Sequence, residues 1–338
     1  MDRRELTELI REYSVEEPDL SAWPYTEARR LRGKHYGDAV FLRGLIEFTS
    51  YCRQDCYYCG LRKSNREAER YRLTREQILD CCGTGYRLGF RTFVLQGGED
   101  PFFTDELLCG IVSEIKRRWP DCAVTLSAGE RSRESYRVLR AAGADRYLLR
   151  HESADATHYT VLHPPAQRLE SRRRCLFDLK ELGFQTGAGF MVGSPGQEPE
   201  QLAEDLCFLR ELGPHMVGIG PFLPHHQTPF AAERLGGLGQ VLLLLALTRL
   251  MLPDVLLPAT TALGSMHPQG RERGFQAGAN VVMPNLSPGE VREAYNLYDG
   301  KLSSGAEAAE GLAELGEHIR KAGLRPDFSR GDHAEQRK

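Results

Sequence analysis

The sequence predicts a complete (β/α)8 barrel, and three observations carry that prediction. From about residue 44 onward, short apolar and β-branched runs alternate with segments of helical period, and eight such runs can be counted. Glycine closes one helix after another just before the next strand, at Gly89, Gly143, Gly183, Gly213 and Gly278. Polar residues and glycines gather where the strands end, the face at which barrels of this kind carry their chemistry. A doubly wound open sheet is the runner-up.

Taken in order, residues 1–40 read as a helical extension. They begin with charges of both signs and show no apolar run of the kind that marks a signal peptide. The barrel and its C-terminal helices, the latter from about 287 to 325, occupy 41–326. Residues 327–338 read as a polar, frayed tail. Strands are expected over 44–49, 92–96, 123–127, 146–150, 185–192, 216–222, 255–260 and 280–283. Helices are expected between them, over 75–86, 104–118, 132–141, 169–182, 201–212 and 240–250. Strand 1 runs into a cysteine-bearing loop. Strand 2 ends in Gln96-Gly97-Gly98-Glu99-Asp100, strand 3 in Thr125-Leu126-Ser127 and strand 4 in Arg150-His151-Glu152. Strand 5 carries Met191, strand 6 runs into His225-His226, strand 7 ends in Thr260-Thr261, and strand 8 gives Met283-Pro284-Asn285.

Composition narrows the field. The formal net charge of 338 residues is −3 and no long basic run occurs, so nucleic acid is not an implied partner. The longest apolar stretch, 241–252, is interrupted by Thr248 and Arg249. It is too short for a bilayer and reads as a buried helix, so no membrane is implied. Nine cysteines without an export signal imply reduced thiols and a cytoplasmic setting.

Cys52, Cys56 and Cys59 form a C-x3-C-x2-C motif with Tyr58 just before the third thiol. Three thiolates hold three irons of a [4Fe–4S] cube and leave the fourth open to a small molecule, whereas four thiolates leave no vacancy. Three buried cysteines that happen to be neighbours are the plain alternative. Structural zinc wants four ligands, usually as two C-x2-C pairs, and no second pair follows. The remaining cysteines, Cys81, Cys82, Cys109, Cys122, Cys175 and Cys207, are scattered and read as small buried hydrophobes. The motif resembles the signature of the radical S-adenosylmethionine (SAM) superfamily. Its members chelate the open iron with the amino and carboxylate groups of SAM, and one electron then cleaves SAM to methionine and a 5′-deoxyadenosyl radical.

The strand ends supply partners for each part of SAM. Gly97-Gly98-Glu99 resembles the superfamily's turn for the amino group, where glycines admit close backbone approach and Glu99 adds a carboxylate. The same residues also make an ordinary βα turn. Arg150 and Arg172 are candidates for the carboxylate, which a guanidinium binds bidentately. Glu152 is a candidate for the ribose hydroxyls. Arg172 belongs to Arg172-Arg173-Arg174, a run whose plain reading is a solvated helix face. His151 reads as a satisfied barrel histidine. His151-Glu152 and His225-His226 lack the i, i+4 spacing of a helical metal pair.

Longer stretches resemble one family. Leu45-Ile46-Glu47-Phe48-Thr49-Ser50-Tyr51-Cys52, Phe93-Val94-Leu95-Gln96-Gly97-Gly98-Glu99-Asp100-Pro101, Asp145-Arg146-Tyr147-Leu148-Leu149-Arg150-His151-Glu152, Gly187 to Gln197, Met216 to Phe222 and Leu257 to Ala262 are similar to the HydE family of [FeFe]-hydrogenase maturases. Together they span roughly 40–300. The resemblance implies a closed cavity inside the barrel and a role in assembling the hydrogenase H-cluster under anaerobic conditions. It implies Cys52, Cys56 and Cys59 as ligands of a [4Fe–4S] cluster. Tyr58, Gln96, Gly97, Gly98, Glu99, Thr125, Arg150, Glu152, Arg172 and Met191 become SAM neighbours. Arg146, Thr260, Thr261, Tyr295 and Tyr298 become walls of the substrate cavity, although C-terminal helix packing would account equally for the two tyrosines. The implied substrate is a small iron–cyanide–carbonyl–cysteine synthon made by the maturase HydG. Product passes to the scaffold HydF, and reduced ferredoxin or flavodoxin supplies the electron. No cysteine follows Cys207, so the second, C-terminal cluster of some members is excluded. Biotin synthase would need cysteines on the barrel strands; Cys122 falls just before strand 3 and strands 4 to 6 have none. Methylornithine synthase, with the same barrel, one cluster and lysine as substrate, is the closer alternative.

Overall fold

The computed structural model describes residues 1–336. Two helices precede the barrel, α1 (Arg3–Tyr13) and α2 (Trp23–Tyr36). A capping box opens α1: the Asp2 carboxylate accepts from the Glu5 N–H, and Glu5 accepts from the Asp2 N–H. Both helices pack on barrel helices, α1 on α8 (Pro199–Leu212) and α2 on α9 (Leu238–Met251).

The first barrel strand is interrupted at Arg43 into β1 (Ala39–Leu42) and β2 (Gly44–Thr49). Parallel pairing then runs from β2 through β3 (Thr92–Gly97), β4 (Ala123–Ser127), β5 (Arg146–Leu148) and β6 (Gln185–Ala188). Two short strands, β7 (Met191–Val192) and β9 (Gly220–Pro221), form a separate parallel ladder, while β8 (Met216–Val217) pairs with β6. Single parallel bridges carry the ring on, from Met216 to Leu256 and from Pro258 to Val281. β10 (Val281–Val282) pairs with β1, and a bridge joins Leu45 to Asn285. All eight expected strand positions are therefore occupied and the ring is complete. The seventh is held by bridges rather than a regular strand because Pro258 has no N–H to give the ladder. The fifth breaks at Gly189 (φ 152), where a Cβ would meet the Gly218 carbonyl oxygen at 2.0 Å.

Helices α3 (Arg75–Arg87), α4 (Asp105–Arg118), α5 (Arg133–Ala141), α6 (Ala156–Leu162) and α7 (Leu169–Glu181) surround the first half. Thr74, Thr104, Ser132 and Asp155 cap four of them through side-chain oxygens. The apolar α9 is buried from Val241 to Arg249, and no described helix is long and apolar enough to cross a membrane.

The C-terminal tail departs from expectation. Residues Arg325–Asp327 form β11, which pairs with β1 below the start of β3. Gly331 and His333 are buried beneath the ring. The frayed tail is thus a floor. Arg330 and Asp332 are held there by Arg146, Gln185 and Thr92, which reach down from the strand starts to bond them, while Ser329 and Glu335 stay exposed.

Candidate active site

The cysteine loop follows β2 and is shaped by two arginines. The Arg70 guanidinium donates to the carbonyls of Ser50, Leu61, Arg62 and Asn65. The Arg62 guanidinium grips Asp55 bidentately at 2.8 and 2.7 Å and holds that carboxyl down at about 2. All three thiols are free. Burial pushes Cys56 up to about 11, and Cys59 higher still, with the neighbouring thiol charges adding to the effect on Cys59. Such a set is poor at holding three bare thiolates and suited to a cation, whose charge deprotonates a coordinating thiol outright. Two donors already face sulfur: Gln167 Nε2 lies 3.3 Å from Cys56 Sγ, and the Glu99 N–H lies 3.4 Å from Cys52 Sγ. Tyr58 packs edge-on to His163. His163 Nδ1–H donates to the Tyr159 carbonyl, so its Nε2 faces the Tyr58 hydroxyl at 3.4 Å as an acceptor.

Between this loop and the floor the barrel encloses a cavity of about 370 Å³. Cys56, Tyr58 and Cys59 line one end, joined by Gln96, Gly97, Thr125, Arg150, Glu152, Arg172 and Met191. Thr260, Thr261, Tyr295 and Tyr298 line another part. The sequence-predicted residues are thus largely brought together, and their geometry adds detail. Arg172 is buried rather than on a solvated face. Its Nε sits 2.8 Å from Glu130 Oε1, while Arg173 turns outward to Glu211. Arg150 Nη2 lies 3.0 Å from Glu152 Oε2. Glu152 has φ 66, the left-handed region, a strained setting for a non-glycine residue and characteristic of ligand sites. Thr125 Oγ1 and Thr260 Oγ1 are buried with no hydrogen-bond partner among the described residues. Unsatisfied buried hydroxyls beside a cavity fit a polar ligand.

Four predicted residues stand outside the lining, Cys52 among them, whose Sγ faces the Glu99 N–H. Gly98 and Glu99 lie behind the lining. A Cβ on Gly98 would meet the Tyr51 carbonyl oxygen at 2.2 Å, so this glycine admits the cysteine loop's own backbone. Glu99 has both carboxylate oxygens engaged, Oε1 by the Glu130 N–H at 2.9 Å and Oε2 by Gln54 at 2.6 Å and Arg53 at 3.2 Å. Arg146 does not reach the cavity. It starts β5, and strand starts face the floor. There its guanidinium donates to Thr92, to the Arg330 carbonyl and to Asp332, each of the last two at 2.7 Å. His151 is the satisfied histidine expected: fully buried, it lies 3.2 Å from Asp205 and burial lowers it to about 3. His225 and His226 gather with Asp299, but the His225 Nδ1 already accepts the Gln227 N–H, so its Nε2 carries a proton and is no metal ligand.

Sequence reasoning missed Glu47, Arg43 and Lys301, all on the cavity wall. Glu47 had a signal, a lone carboxylate inside an otherwise apolar strand. Lys301 had none, for it sits in an irregular segment. Its Nζ lies 2.7 Å from Glu47 Oε1.

These residues fit the two cofactors of the superfamily, with Cys52, Cys56 and Cys59 suited to a [4Fe–4S] cluster and the adjoining polar wall suited to SAM. Residues 46–209 match the Radical SAM superfamily. The chain is 46% identical to the [FeFe] hydrogenase maturase subunit HydE of Thermotoga maritima, over 89% of this chain and 86% of that one. It is 30% identical to a 3-methylornithine synthase of Methanosarcina barkeri, over 82% and 78%. The crystal structure of methylornithine synthase (PylB) superposes with a TM-score of 0.84 at 27% identity, covering 96% of this chain and 94% of that one. The cysteine loop, the barrel and this degree of identity together make the chain a radical SAM enzyme that belongs to the HydE family.

Proposed function

We propose that this enzyme acts in [FeFe]-hydrogenase maturation, on a small iron–cyanide–carbonyl–cysteine synthon held in the barrel cavity. The observation that carries the reading is the difference between 46% identity to the hydrogenase maturase and 30% to the methylornithine enzyme. When bound, the cluster and SAM supply a 5′-deoxyadenosyl radical by one-electron cleavage. The chain's own residues do the rest. Cys52, Cys56 and Cys59 anchor the cluster. Tyr58, Gln96, Gly97, Thr125, Arg150, Glu152, Arg172 and Met191 border SAM, with Arg150 and Arg172 as carboxylate partners and the Glu152 carboxylate as acceptor for ribose hydroxyls. Gly98 and Glu99 support that wall from behind. Thr260, Thr261, Tyr295 and Tyr298 hold the substrate against the radical carbon and keep water away. HydG supplies the synthon, HydF receives the product, and reduced ferredoxin or flavodoxin gives the electron. Maturation tests the reading: apo-hydrogenase mixed with HydF and HydG should gain activity only with this protein present. Methylornithine formation from lysine, with no maturation, would transfer the assignment to the amino-acid branch.

A further inference from the structure

Lys301 is a nearly buried amine, its side chain 10% exposed, on the irregular segment that follows Tyr295 and Tyr298. Its Nζ donates to Glu47 Oε1 at 2.7 Å and to the Tyr295 carbonyl at 2.9 Å. Glu47 is itself fixed. Its other oxygen accepts from Asn285 Nδ2 at 2.7 Å, and its backbone N–H donates to Ser287 Oγ at 2.8 Å. An ammonium has three N–H donors. Two are committed to protein acceptors and the ammonium also lies 4.9 Å from the centre of the Tyr295 ring, but no oxygen or nitrogen of the described residues takes the third, and Lys301 and Tyr295 both line the cavity. A buried Lys–Glu pair is weak evidence of stabilisation, since well-packed apolar residues serve a core as well. What apolar residues would not supply is a cationic donor held at one place on a cavity wall. The buried, unpartnered Thr260 Oγ1 offers a second polar atom to the same cavity.

We propose that Lys301 is a substrate-anchoring residue, pinned by Glu47 and the Tyr295 carbonyl so that its remaining N–H binds the carboxylate of an amino-acid-type ligand in the cavity. The proposal rests on the cavity being the substrate site, and deepens that reading. The cysteine of the iron synthon carries such a carboxylate, and so does lysine.

The test uses the cluster-loaded enzyme and measures SAM cleavage against concentration of the synthetic iron–cyanide–carbonyl–cysteine complex and, separately, of L-lysine. With whichever compound accelerates the wild type, Lys301→Met should raise KM roughly tenfold or more, with a smaller fall in kcat. Lys301→Arg should recover part of the loss. Lys301→Met leaves the Glu47 carboxylate buried and unpaired, so Glu47→Gln/Lys301→Met, which removes both charges, is the folding control. Iron content and the SAM-induced EPR shift report its integrity, and it should show the same rise in KM. An unchanged KM in an iron-replete double variant overturns the proposal and leaves the functional reading standing. Acceleration by lysine and not by the synthon overturns the hydrogenase reading, and the same KM comparison then decides Lys301. Acceleration of the wild type by neither compound removes both.

Discussion

Arg172 is the residue at which the site's electrostatics are most exposed to test. Replacing it by alanine leaves Glu130 without its 2.8 Å partner and removes a cavity-lining cation. SAM should bind more weakly by about 2–5 kcal/mol with the cluster retained, which equilibrium binding to the reconstituted protein would measure. Normal SAM affinity would assign the carboxylate to Arg150. Alanine at Cys52, Cys56 or Cys59 should instead abolish SAM cleavage, because the cube loses an anchoring thiolate; iron per chain and the EPR signal check it. The two kinds of residue also differ in legibility. The cysteines can be read because cluster geometry imposes a spacing on adjacent residues. Arg172 was half-hidden by Arg173 and Arg174, since a run of like charges does not say which member turns inward. Arg146 was misplaced because a resemblance carries a residue over without its height on the strand. Lys301 belongs to no periodic pattern and could only be found in three dimensions.

Single elements tell a similar story. The strands were readable as apolar runs, but their breaks were set by local chemistry, the missing N–H of Pro258 and the close passage of Gly189 past Gly218. The helices were bounded well where Thr74, Thr104 and Ser132 cap them. The turn after α6 carries a prediction. Burial lowers His163 from 6.5 to about 3. The unfolded chain therefore takes up a proton below pH 6.5 that the folded chain refuses until about pH 3. Stability should fall as pH drops from 6.5, by about 1.4 kcal/mol per unit from this group. Urea unfolding between pH 7 and 5 should show a shallower pH dependence in His163→Gln. An unaltered slope would mean that His163 takes up its proton as readily in the folded protein as in the unfolded chain.

For the whole molecule, the barrel and the position of its chemistry were legible because alternation and strand-end polarity are properties of the entire chain. The floor was not, because a polar tail looks the same whether solvated or bonded. Asp332 is the clearest handle on it. Asp332→Ala leaves the fully buried Arg146 without its carboxylate and should cost about 3–5 kcal/mol, read as a lower urea midpoint with iron content unchanged in the folded fraction. The pairing of β11 with β1 has a further consequence, for the order of assembly. One edge of β1 has no partner until residues 325–327 have been made, although β10 meets its other edge earlier. Contacts so distant in sequence form late and slowly, and until then the bottom of the ring presents bare strand edge. Chains truncated before residue 325 should accordingly be captured by chaperones and cleaved by protease near Ala39–Leu42, whereas chains that include residues 325–336 should resist both.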